Sequence, residues 1–166
     1  MNIQKTGLAA LIAAAGFTSF VPSMVLAEGV RKIDVTVDLA AIENAQAAAY
    51  WGALEVDLEA AIAARVADQL SEEGADLNID ITEVELSNGL QEDLGIADTK
   101  LAANVVQTHP TDNSLFKNYE LMVDVNAAKA YLPAGVDVVV LKADTADFYK
   151  AMVETFADAV AARVKE

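Results

Sequence analysis

The chain has 166 residues, no cysteine, and 26 Asp and Glu against 11 Lys and Arg, for a formal net charge of −15. That field repels nucleic acid and anionic lipid head groups and favours basic partners or divalent cations. Without cysteine there are no disulfides, no cysteine-borne lipid anchor and no thiolate metal site, so apolar burial alone must hold the fold.

Residues 1–27, MNIQKTGLAALIAAAGFTSFVPSMVLA, have the layout of an export signal. Lys5 supplies the positive start and Gly7 to Phe17 a short apolar run. Val25 and Ala27 place small residues three and one positions before a cut at Glu28. The apolar run falls well short of the roughly 20 residues a bilayer span needs, which favours a cleaved leader over a retained anchor. The mature chain is expected to be 28–166, a single domain in the periplasm or beyond, with a charge of −16 once Lys5 is lost.

RKIDVTVDL (31–39) alternates with Ile33, Val35, Val37 and Leu39 on one side, the pattern of a half-buried strand. An alanine-rich helix is expected from about Asn44 to Glu73, ended by Gly74. ADLNIDITEVEL (75–86) returns to period two, but its phase slips at Thr82-Glu83, which predicts a bulge or an early end. A loop over 87–99 carries Asn88-Gly89 and the acids Glu92, Asp93 and Asp98. Strands follow at 100–108 and 118–126, joined by HPTDNSLFK. VDVVVL (136–141) is apolar on both faces and reads as a central strand. Asp144 and Asp147 open a closing helix that runs to about Lys165. The order β-α-β-β-β-β-α, with no internal repeat, predicts an α+β two-layer sandwich: a mostly antiparallel sheet with two helices on one face.

On the first helix, Ala47, Trp51, Leu54, Leu58, Ala61 and Ile62 share one face, while Ala53, Val56, Ala60, Ala63 and Ala67 form a second, smaller one. The large face suits the sheet. The alanine face suits either the other helix or a dimer seam. The closing helix has one broad face, Phe148, Tyr149, Met152, Val153, Phe156, Val160 and Val164, and an expected Lys150–Glu154 pair on its outer side. Trp51, the only tryptophan, is expected in the core, because a residue that size contributes about 2–3 kcal/mol when buried. Tyr50, at the edge of the same face near Asp57, is the better candidate for contact with a ligand.

The single histidine, His109, precedes Pro110 in a loop and is expected in solvent rather than in a catalytic set; with one histidine and no cysteine, an ordinary zinc or copper site cannot be assembled. DLNID (76–80) imitates the start of a calcium loop, but Ile81 stands where glycine is needed and Ser87 where the bidentate glutamate belongs. Glu92, Asp93 and Asp98, or Asp112 with His109, could hold a cation loosely. No phosphate loop or dinucleotide fingerprint occurs.

An export signal followed by strand, helix, strand series and closing helix resembles, in element order over most of 28–166, small envelope-assembly subunits: the lipopolysaccharide-transport (LptE-like) lipoproteins and auxiliary subunits of envelope ABC transporters. Those families are typically anchored at a cysteine that this chain lacks, and no functional residue carries over from element order. The expected function is that of a non-enzymatic periplasmic binding or envelope-assembly module. It would meet an envelope protein through its acidic surface, or a second copy through the alanine face. A small periplasmic carrier is the second reading, with an apolar or cationic ligand held between helices and sheet by Tyr50, Trp51, Phe148, Met152 and Phe156. Neither reading calls for a cofactor or metal.

Overall fold

The computed structural model describes residues 29–38, 45–85, 100–132 and 146–165. The proposed leader (1–27), the acidic loop of 87–99 and the strand expected at 136–141 lie outside them. In chain order the elements are β1 (Val30–Val37), α1 (Ala45–Tyr50), α2 (Leu54–Arg65), β2 (Ala75–Glu85), β3 (Lys100–Thr108), β4 (Lys117–Asp124), α3 (Val125–Ala128) and α4 (Ala146–Val164). The four strands form one sheet in the order β1-β2-β3-β4. β1 and β2 are parallel, which the helical crossover between them permits, and the other two pairings are antiparallel. The class is α+β, with α2 and α4 packed on the sheet.

Period-two alternation sets which face is buried. Val35, Leu77, Ile79, Ile81, Leu101, Ala103, Val105 and Val123 point inward, where Trp51, Leu54, Leu58 and Ile62 meet Phe148, Met152, Phe156, Val160 and Val164. The register shifts between Ile81 and Glu83, so Thr82 is the extra residue of a bulge. Its effect is specific: Val84, opposite Leu101, returns to the core side, and Glu83 turns outward to Lys100 at 3.0 Å.

The single long helix expected over 44–73 is instead broken and shorter. α1 stops at Tyr50, residues 51–53 turn, and α2 begins at Leu54. Gly52 sits in the break, where the helix loses about 1 kcal/mol relative to alanine. α2 then ends at Arg65 rather than before Gly74, because the following backbone pairs with β1: Val30 N–H donates to Gln69 O at 2.8 Å, and Ser71 N–H to Val30 O at 2.9 Å. Gly74 serves a different end. Its Cα lies so close to the Gly29 carbonyl that a β-carbon would overlap it, and the neighbouring Ala75 N–H donates to Gly29 O at 2.7 Å. The strand expected over 118–126 likewise ends at Asp124, whose carboxylate accepts Ala127 N–H at 2.9 Å and opens α3.

Gly74→Ala is therefore expected to destabilise the chain by about 1–3 kcal/mol, the usual cost of overpacking. Urea denaturation followed by Trp51 fluorescence would measure it.

Candidate functional site

Two surfaces carry polar groups arranged by the fold. The first is a groove between α2 and α4. Asp57, Ala61 and Arg65 recur at four-residue spacing on α2, so they form one stripe facing α4. Arg65, only partly accessible, donates to Glu154 Oε2 at 2.5 Å and to the carboxylate of Asp158, and also reaches the Glu154 carbonyl at 3.2 Å. The expected Lys150–Glu154 pairing is thus replaced by a bond between helices. At the other end of the stripe, the Tyr149 hydroxyl donates to Asp57 Oδ2 at 2.7 Å. Between these contacts lies an open groove of about 410 Å³ with Ala60, Ala61 and Val153 among its walls and Lys150 and Glu154 beside it.

Aromatic rings back the groove. Tyr149 lies 5.5 Å from Tyr50 in edge-to-face geometry and 5.6 Å from Trp51, and Tyr50 meets Trp51 at 4.9 Å. Burial, with the bond to Asp57, pushes the Tyr149 phenol well above its ordinary value.

Of the five residues expected to line a ligand site, Trp51, Phe148, Met152 and Phe156 are sealed in the core at 0–1 % exposure, and Tyr50 is half-buried at its margin. They meet in one cluster, but the accessible space lies beside them, between the helices. Tyr149 and Asp57 are the pair that sequence reasoning missed. Both were placed on their helices, and the signal available was the Asp57–Ala61–Arg65 spacing. The alanine face is exposed at Ala53, Val56 (69 %), Ala60 and Ala67, so it is not the main contact between α2 and α4.

The second surface is the outer face of the sheet. The cross-strand rungs Thr36–Asp80–Asn104–Glu120 and Asp34–Asn78–Val106–Asn118 run across all four strands. Their side chains are exposed or half-exposed, and Met122 is 64 % exposed beside them. The DLNID run is the polar side of β2 here, since Leu77, Ile79 and Ile81 face inward. Arg31 forks onto Asp76 at 2.8 and 2.5 Å, and this bond holds the Asp76 carboxyl below the usual carboxylate range.

His109 is not simply solvated. Its Nδ1 accepts from Thr111 N–H at 3.3 Å and Asp112 N–H at 3.1 Å, which leaves Nε2 to donate to Glu73 O at 2.8 Å. The ring thus ties the β3–β4 loop to the turn before β2. Asp112 accepts the Ser114 N–H and hydroxyl, at 2.9 and 2.6 Å, which lowers its carboxyl below the ordinary range. Among the described residues, no three Asp, Glu or His side chains are arranged to hold a metal ion, and no helix is long and apolar enough to cross a membrane. No protein-family model, characterised protein or solved structure matches the chain.

Tyr149→Phe is expected to lower stability by about 1 kcal/mol at neutral pH, by removing one hydrogen bond. The folded chain holds the Tyr149 proton more tightly than the unfolded chain does. Its contribution is therefore complete below the ordinary phenol range near about 10 and is lost as pH rises through and above that range. Urea denaturation at neutral and alkaline pH should show the difference between the two proteins shrinking as pH climbs.

Proposed function

We propose that this chain is a non-enzymatic binding or assembly module of the bacterial envelope, exported under the 1–27 leader and docking a basic partner through its outer sheet face. One observation carries the reading. In this sheet, α2 and α4 seal the inner face, while the outer face presents Asp34, Asp80, Glu120 and Asp124 among Asn78, Asn104 and Asn118. A broad polar face of this kind suits another protein better than a small molecule, which needs a concave and mostly apolar site. The charge of −16 left after removal of Lys5 with the leader speeds encounter with a basic surface. The resemblance of the sequence, in expected element order, to envelope-assembly subunits supports this role, and the alanine face of α2 offers a place for a second copy.

The groove between α2 and α4 favours the alternative, a small periplasmic carrier. Its volume falls in the range of small-molecule sites, and Asp57 beside the Tyr149 ring suits a cationic or apolar ligand.

The two readings separate experimentally. Crosslinking in intact cells should attach the chain to an envelope protein, and Asp80→Lys with Glu120→Lys should abolish that adduct while leaving Trp51 emission unchanged. Added salt should weaken the same association in vitro. A thermal shift with amphiphilic amines, together with crosslinking that ignores the charge reversal, would instead support the carrier. Mass spectrometry of the exported chain should place its N-terminus at Glu28; a chain that retains residues 1–27 would contradict the export assignment.

A further inference from the structure

Among the described residues, β1 is an outer strand of the sheet, paired with β2 on one side only. The N–H groups on its other side are a ready template for strand addition. Two of them are already taken. Val35 N–H donates to Glu59 Oε1 at 3.1 Å, and Val37 N–H donates to Glu55 Oε1 at 2.8 Å, both partly buried.

The spacing explains why glutamates four apart can do this. Four helical residues advance about 6 Å, and two strand residues advance about 6.6 Å. Successive outward N–H groups of β1 therefore meet successive turns of α2. The order is antiparallel, with the earlier glutamate on the later valine, as it must be for a helix returning along the strand that precedes it. Charge is not what matches the two elements; acceptor geometry is.

We propose that Glu55 and Glu59 are an edge cap, two carboxylates that occupy the place of a neighbouring strand and prevent β1 from pairing with β1 of a second copy. The second copy is the relevant competitor because β1 complements itself. In an antiparallel pairing about a two-fold axis centred on Val35, the N–H and C=O of Val35 face their own counterparts, Ile33 falls opposite Val37, and Lys32 falls opposite Asp38. Side chains that are already apolar or opposite in charge thus meet across the seam. The α2 carboxylates stand in that seam.

The cap makes residue-specific demands. In hydrogen exchange followed by NMR, Glu59→Ala should speed the Val35 amide by about tenfold and leave Val37 unchanged, and Glu55→Ala should do the reverse, the factor being that of one ordinary hydrogen bond. Replacing both by alanine should produce a dimer beyond any association of the parent chain in sedimentation, and adding Lys32→Asp should abolish it. Replacing both by glutamine, which keeps an acceptor oxygen, should preserve slow exchange and the parent's sedimentation. Should the double alanine variant lose Trp51 emission and unfold, Glu59→Ala, which opens the centre of the register, is sedimented in its place with the same expectation. Unchanged exchange at Val35 and Val37 in the single variants would overturn the proposal. So would a folded double alanine variant, or Glu59→Ala sedimented in its place, that sediments like the parent at every concentration.

Discussion

The two layers stay together because one face of the sheet is sealed by the apolar sides of α2 and α4, and nothing covalent helps. Trp51 lies where that seal begins, in the turn that leads from α1 into α2, with no surface left to water. Leu54, Leu58 and Ile62 continue inward from it along α2, and Phe148, Met152, Phe156 and Val160 meet them from α4. With no cysteine in the chain, every other feature presupposes this contact: the groove, the stripe of Asp57 and Arg65, and the open sheet face exist because the helices are held in place.

A chain this acidic could simply hold its carboxylates in solvent. Many of those described instead accept hydrogen bonds that the fold would otherwise leave unmade. Glu55 and Glu59 take β1 amides, Asp57 takes the Tyr149 hydroxyl, and Asp112 and Asp124 cap short helical turns. Glu154 and Asp158 share Arg65, and Asp76 takes Arg31. Backbone amides at an edge strand or helix start need acceptors, and a carboxylate is a strong one. Part of the excess negative charge is thereby structural, while the outer sheet face keeps Asp34, Asp80 and Glu120 turned to solvent.

Alternation made much of the fold legible. It placed β1, β2 and β3 within a residue or two, and the slipped phase at Thr82-Glu83 located the bulge, since a strand with one buried face cannot change parity without an extra residue. Tertiary competition was less legible. Alanine content supported a helix through Glu73, but residues 69–71 pair with Val30 instead, a contact no local propensity contains. Gly74 read as a helix stop, whereas its role is close approach to Gly29, which depends on a residue 45 positions away. At the candidate site, burial of Trp51 followed from size and periodicity. The partners of Asp57 and Arg65 could not be read, because a helical wheel gives the face of a side chain but not the neighbour across it.

The seal over the inner sheet face can be read from one residue, since Trp51 is the only tryptophan in the chain. Steady-state emission of the native protein, with acrylamide quenching, reports its surroundings directly. A blue-shifted band that acrylamide barely quenches, and that reddens in a single cooperative step with urea, is the predicted result. Emission typical of a water-exposed indole, freely quenched before any unfolding, would contradict it.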